Sequence, residues 1–273
     1  MDWLFWAGFL KFRLLPMSHW ILHRLFSTVT LGLYILALLW VDFDAAVSYS
    51  TRPWMWALVT LLVFRHTFLG MTIGYHRYYS HTAFKAKRWF EVLIAYSCAA
   101  SGQGAITWWA ANHRHHHNNC DTKDDPHSPV VHSLAYACIG WTYDPRHARR
   151  TIRLRYPETL WFDRWGFLVP WFEWGLLWYV SGSLAFATLV GLLPNWICTI
   201  LTLWFNARAH AGPPDEKGCA ATTYKLAYFN GEWRHDDHHA YPGKAHRPEP
   251  DLAYWLILWP MARLGAVWDL RDR

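Results

Sequence analysis

Between Gly166 and Asn206 the chain runs for 41 residues with one charged side chain, Glu173. A hydrocarbon core about 30 Å thick takes about 20 apolar residues per helix, so this run has room for two membrane spans and a turn. The turn is placed at Ser181-Gly182-Ser183, with Pro194-Asn195 as the alternative, both being helix-breaking sequences. Leu25 to Val41 adds 17 uncharged residues with Trp20 and Trp40 at its ends, where interfacial anchors belong. Another apolar stretch opens at Trp54 and resumes after Arg65 and His66 as far as Tyr75, long enough as one helix to span and project beyond the surface. The expected fold is an all-α integral membrane protein with four transmembrane helices, at about 20–41, 54–75, 166–181 and 184–206. A cytosolic helical cap, from 76–165 and 207–273, completes a single domain over 1–273.

Composition supports that class. Trp, Tyr and Phe number 21, 14 and 15, and charged residues are 17%, against about 25% in an ordinary soluble domain. The aromatic load excludes disordered, collagen-like and coiled-coil chains, and nothing in the sequence points to nucleic acid. The 5 cysteines are odd in number, scattered and never in a CxxC, which excludes a disulfide scaffold. Lys and Arg number three before residue 25, one in 42–53, 13 in 65–165, none in the turn after the third span and nine after 206. With four spans all the basic segments face the cytosol, so both termini are expected there, in a multi-pass protein of a bacterial inner membrane. Asp2 and the lack of a basic n-region argue against a cleaved signal peptide, and Trp3–Leu10 reads as an aromatic helix on the membrane surface. Val92 to Asn112 is also uncharged but is broken by Ser101-Gly102-Gln103-Gly104. A single crossing there would put the flanking histidines in opposite compartments, so it reads as a buried or re-entrant helix.

The chain has 17 histidines, and nine fall into four groups at span ends or in cytosol-facing segments. His76 and His81 are five apart, about 140° around an α-helix, so the helix is expected to end or unwind between them. His113, His116 and His117 share one helical face at i, i+3 and i+4, as do His235, His238 and His239. Asn206 and His210 form an i, i+4 pair at the end of the last span. His19, His23, His66, His115, His127, His132, His147 and His246 read as ordinary polar residues. Nine imidazoles packed together without a metal would leave buried polar atoms unpaired. Nine exceed the coordination of one ion and imply two. No cysteine accompanies the groups, which argues against thiolate zinc and iron–sulfur sites, but imidazole suits Fe, Zn, Cu and Ni alike. A redox-active metal beside a bilayer points to oxidation of a lipid.

The order HxxxxH, HxxHH, NxxxH, HxxHH between two pairs of spans resembles the membrane fatty-acyl desaturases, most nearly the stearoyl-CoA (delta-9) branch, in a bacterial type without fused cytochrome b5. Gly70-Met-Thr-Ile-Gly-Tyr-His-Arg, Trp108-Trp-Ala-Ala-Asn-His-Arg, Asp121 through Asp125-Pro126-His127, Gly231-Glu232 and Asp251-Leu-Ala-Tyr-Trp extend the resemblance over roughly 54–270. The resemblance implies a di-iron centre held by His76, His81, His113, His116, His117, His210, His235, His238 and His239, with Asn206 reaching one iron through water. It implies O2 as co-substrate, two electrons from a separate donor of the cytochrome b5, ferredoxin or reductase type, and syn removal of two hydrogens from adjacent methylenes. The product would be a cis double bond, delta-9 by analogy, in a fatty acyl-CoA or acyl-lipid. No side chain can attack such a C–H bond, so no catalytic residue is expected beyond the metal centre.

Asp121, Asp125, Glu232 and Asp237 are candidates to accept from the outer ring N–H of the ligands, as is Asp236. Arg146, Arg149, Arg150 and Arg153 follow i, i+3, i+4, i+7 and are candidates for CoA phosphates, lipid headgroups or an acidic donor. Thr60 and Phe64, about three to four turns before His76, are candidates for the acyl tunnel. The chain departs from the family in having Ala137-Cys138-Ile139-Gly140-Trp141 for Ser-His-x-Gly-Trp, and Trp233-Arg234 before the third histidine group. The same platform also serves hydroxylases, and a His-rich metal carrier is a remote alternative.

Overall fold

A computed structural model of the chain describes residues 23, 30–148, 153–210, 212–225 and 231–271. Helix α1 (Thr30–Val41) meets α2 (Phe43–Ser50) at 96°. The segment 42–53, between the first two expected spans, is thus mostly helix, turned across the end of α1. Trp3–Leu10, and residues 20–29 other than His23, lie outside the described residues. Helix α3 (Pro53–Ser80) starts at Pro53, whose fixed φ and missing N–H suit a first turn. It is α-helical to Phe64 and continues as π-helix from Arg65 to Ser80.

After strand β1 (Lys85–Ala86) come α4 (Arg88–Ala100) and α5 (Ile106–Asn118). They are separated at 101–105, the break expected inside Val92–Asn112. Short α6 (Leu134–Cys138) and α7 (Pro157–Trp165) lead to α8 (Val169–Ser181). Gly182, with φ +67, turns the chain into α9 (Leu184–Arg208), and Pro194 and Asn195 lie inside that helix. The proline is accommodated by a π-helical turn at Thr188–Leu192 just before it, where the ladder is already rearranged. Helix α10 (His235–Ala240), α11 (Tyr254–Leu258 continuing as Trp259–Arg263) and strand β2 (Val267–Trp268) complete the described chain, β2 pairing antiparallel with β1.

The four expected spans are found in part. Helices α3 and α9 are long and apolar enough to cross a membrane, and α1 with α2 make a third if the bent pair is one span. Helix α8 has 13 residues, too few for a hydrocarbon core of about 30 Å, so the expected span at 166–181 is a short helix behind a 3-10 turn at Gly166–Leu168. Its outward residues Phe172, Leu176, Tyr179 and Val180 are nevertheless all apolar or aromatic and exposed, a surface suited to lipid. Glu173, the lone charge of the 166–206 run, is paired: Arg65 of α3 donates to it at 2.9 and 3.0 Å, and the Tyr96 hydroxyl of α4 donates as well. A charge among apolar spans is tolerable only with such partners.

Helices α3 and α4 approach closely because α3 presents Gly70 and Gly74, spaced as in small-residue membrane interfaces. A Cβ on Gly74 would lie 2.4 Å from Cys98 Sγ, and one on Gly70 would lie 2.6 Å from the Ser97 carbonyl oxygen. In the cap, α5 is anchored at its start by buried Asp163 of α7, which accepts from the Thr107 N–H at 2.8 Å and from its hydroxyl. Trp108 stacks on Trp141 with ring centroids 5.3 Å apart, fixing the other flank of α5. These contacts aim the HxxHH face of α5 at the end of α3.

Candidate metal centre

The nine histidine rings converge as two sets. In one, Nε2–Nε2 separations run 2.9 Å from His76 to His238, 2.8 Å from His238 to His117, 3.1 Å from His117 to His113 and 2.9 Å from His113 to His81. In the other, His210 Nε2 lies 3.1 Å from both His116 and His235, and His239 Nε2 lies 3.3 Å from His116 and 3.1 Å from His235. Five rings and four rings thus each aim the same atom at a common point.

The local backbone explains how distant residues meet. His113, His116 and His117 share the buried side of α5, whereas His115 points away, to the carbonyl of Asp124 at 2.8 Å. The helix does not end between His76 and His81. It stays π-helical, with the His81 N–H on the His76 carbonyl at 3.2 Å. In that form one hydrogen-bond step is five residues, so two rings five apart reach one place. Arg114, inside the second histidine group, donates to the carbonyl oxygens of Ser80 at 2.5 Å and Tyr79 at 2.8 Å, binding α5 to the C-terminus of α3.

Three of the outer ring nitrogens are held by acids. His116 Nδ1 lies 2.8 Å from Asp125, His210 Nδ1 3.2 Å from Asp121, and His76 Nδ1 3.3 Å from Glu232. With Nδ1 donating, Nε2 carries the lone pair, as a metal ligand requires. Glu232 is in turn gripped by Arg77, which donates to it at 3.0 and 3.1 Å and to Asp251 at 2.7 and 3.1 Å. Gly231 fits here because its φ is +81 and a Cβ would lie 2.5 Å from Asp251. Burial alone would raise the Glu232 pKa, but His76 and Arg77 outweigh it and keep the carboxyl well below its usual range. Burial likewise opposes ionisation of Asp121, yet His210, the Ser128 hydroxyl and the Ala220 N–H hold it ionised.

The rings respond in the opposite sense. Burial pushes His116, His117, His235, His238 and His239 well below the ordinary imidazole range, and neighbouring rings push further. They are neutral, ligand-ready imidazoles. Lone pairs about 3 Å apart repel unless a cation sits among them, so this donor set fits two metal ions and is hard to explain without them. Iron fits an all-imidazole set, as do Zn, Cu and Ni.

Other expected residues are placed differently. Asn206 lines the cavity beside the four-ring set. Asp237 pairs with Lys244 at 3.3 Å and Asp236 with Arg234 at 2.8 Å, so among the described residues neither orients a ring. Of the arginine stripe, Arg146 sits in a three-residue 3-10 turn paired with Asp144, Arg153 is in irregular chain, and Arg149 and Arg150 lie outside the described residues. The cavity that reaches the rings is lined on α3 by Val63, Thr67, Phe68, Met71 and Thr72, and not by Thr60 or Phe64. Thr60 is exposed, and Phe64 packs on the back of Phe68.

Sequence reasoning passed over four contributors. Arg77 and Arg114 stand inside the histidine groups, and Asp251 lies in a quoted motif, but only tertiary pairing shows what they hold. His127, read as ordinary, is buried with its ring 4.2 Å from His116 and faces the cavity; the Asp125-Pro126-His127 motif was its one signal. Cysteines do accompany the rings, contrary to expectation: Cys120 and Cys219 are joined in a disulfide, with Sγ atoms 3.6 Å from His210 Nδ1 and 3.4 Å from His239 Nδ1. A pairing across 99 residues leaves no mark in local spacing.

The family model for fatty acid desaturases matches residues 51–266, most of the chain and all nine rings. The chain belongs to the fatty acid desaturase family. Desaturases are membrane oxidoreductases of lipid metabolism, and the relatives agree. Hex-5-enoyl-(acyl-carrier protein) acetylenase of Moorena producens is 27% identical over 292 aligned positions, covering 94% of this chain and 87% of its own. The sn-2 palmitoyl-lipid 9-desaturase of Nostoc sp. is 30% identical over 225, covering 75% and 77%. A probable acyl-CoA desaturase of Schizosaccharomyces pombe is 30% identical over 204, covering 68% of this chain and 42% of its own.

Proposed function

We propose that this desaturase is an O2-dependent, di-iron enzyme that introduces a cis double bond, delta-9 by analogy with its relatives, into a saturated acyl chain. The observation that carries the reading is an apolar cavity leading from the α3–α9 face straight to both ring sets. Val63, Thr67, Phe68 and Met71 on α3 and Leu201, Thr202 and Phe205 on α9 line it, and His76, His113, His116 and His235 stand at its inner end. Iron, when bound by the five-ring and four-ring sets, would supply with O2 the oxidising power for removing two hydrogens from adjacent methylenes. The protein's own residues do the rest. The cavity walls fix which carbons lie beside the rings and exclude water, so that orientation selects the bond. Asp121, Asp125 and Glu232 hold His210, His116 and His76 in the ligating tautomer, and Asn206, on the cavity wall, would reach the four-ring site through a water.

The topology we propose is four passes, the third made by the Gly166–Leu168 turn and α8 together, with both termini and the metal centre on the cytosolic side of a bacterial inner membrane, and a separate protein delivering the electrons. The acyl group arrives on CoA, on a carrier protein or in a glycerolipid; the relatives' names include all three. Expression in a host lacking monounsaturated lipids, followed by fatty-acid mass spectrometry, tests the activity, with acyl-CoA, acyl-carrier protein and glycerolipid supplied separately to membranes. A new double bond without added oxygen supports the reading, and an added hydroxyl would favour a hydroxylase. His116→Ala and His238→Ala should each abolish product while the protein stays in the membrane.

A further inference from the structure

Cys120 and Cys219 lie on the outer side of the four-ring set, and neither is used by the proposed chemistry. Their contacts are specific. Cys120 precedes Asp121, whose backbone is held at φ +55, a left-handed conformation uncommon for a residue with a side chain. That conformation aims Asp121 so that Oδ2 accepts from His210 Nδ1 at 3.2 Å and from the Ala220 N–H at 2.6 Å, while Oδ1 accepts from the Ser128 hydroxyl at 2.5 Å. Ala220 follows Cys219. The disulfide and the Asp121–Ala220 hydrogen bond are therefore adjacent rungs of one staple between the loop after the second histidine group and the loop after His210. A cystine sulfur has no proton to give, so Cys219 Sγ can only accept from the His239 N–H that faces it.

We propose that Cys120 and Cys219 are a redox-modification site that tightens the four-ring half of the metal centre, closed by peroxide and opened by a dithiol. The inference rests on the metal-centre reading of the same rings. Disulfides on the cytosolic side of a membrane are commonly transient and redox-sensing, which fits a pair beside an oxidising centre better than a scaffold role. Cys120 is half-buried and the 213–218 turn beside Cys219 is exposed, so a small reagent can reach the bond. In closing, the two S–H bonds and the O–O bond break, two electrons pass from sulfur to peroxide, and one S–S bond and two waters form. In opening, a reductant thiolate attacks Cys120 Sγ and Cys219 leaves. The second reductant thiol then displaces Cys120, and the reductant ends as its own disulfide. The closed staple keeps Asp121 on His210, and the open one leaves that contact to a single hydrogen-bonded rung.

The test uses the full-length, iron-loaded protein, treated with hydrogen peroxide or dithiothreitol and then desalted. Alkylation and peptide mass spectrometry count thiols at 120 and 219, and release of iron to a strong chelator is followed in time. Expected are two thiols lost with peroxide and regained with dithiothreitol, and half of the iron leaving the open form about tenfold faster than the closed, the scale of an outer-partner change. Cys120→Ser with Cys219→Ser should release at the fast rate after either treatment. Thiols that survive peroxide, or equal release rates from verified open and closed forms, would overturn the proposal. A pair that closes and opens in a protein holding no iron in either state would contradict the metal-centre reading and the tightening, and leave the redox pair standing.

Discussion

At the scale of single residues, the centre depends as much on what stands behind the rings as on the rings. Glu232 joins His76 to buried Arg77, so Glu232→Gln replaces the charged acceptor for His76 Nδ1 by a neutral amide and removes half of the charge facing Arg77. Iron affinity measured by chelator competition should fall 10- to 100-fold, with the protein still folded. Arg77→Met is a harsher change, leaving Glu232 and Asp251 buried without their cation, and should cost about 3–5 kcal/mol of stability. The rings also set a pH dependence. Their folded pKa values lie well below 6.5, so below pH 6.5 the unfolded chain binds protons that the folded chain refuses. Iron-free protein should keep its stability above pH 6.5 and lose about 1.4 kcal/mol per pH unit below it for each ring that stays neutral. Denaturant midpoints read across that range check it, and a flat profile would mean that the rings titrate freely.

Among the elements, the two HxxHH groups were legible because i, i+3, i+4 spacing on a helix needs no tertiary information to place three rings on one side. The HxxxxH group was misjudged for a physical reason: five residues do not fit an α-helical turn, and the sequence does not announce that α3 changes to π-helix at Arg65. The same change of winding shifts the cavity face from Thr60 and Phe64 to Val63, Thr67 and Met71. Thr67→Phe should therefore shift the product profile to shorter acyl chains, whereas Thr60→Phe on the exposed face should leave it unchanged. Fatty-acid profiles of the two variants decide between the faces. Packing of α3 on α4 makes its own prediction. Gly74→Ala drives a methyl into Cys98 Sγ and should cost about 1–3 kcal/mol, partly restored by Cys98→Ala in the same chain. If the double variant is no more stable than the single, the clash lies elsewhere.

For the whole molecule, the sequence made the membrane class and the convergence of the four histidine groups readable, because uncharged length and repeated ligand spacing survive any tertiary arrangement. Partnerships across long separations were not readable: Arg77 with Asp251, Asp163 with Thr107 and Cys120 with Cys219 depend on which loops meet. Span number also resisted, since a 41-residue apolar run says nothing of how unequally a turn divides it, and α8 received only 13 residues. The central claim is that segments from α3, α5, α9 and α10 build two adjacent iron sites at the inner end of an acyl cavity. Anomalous diffraction at the iron edge from crystals of the membrane-purified protein tests it most directly. The account predicts two peaks, one among His76, His81, His113, His117 and His238 and one among His116, His210, His235 and His239. A single peak, or iron bound away from these rings, would contradict it.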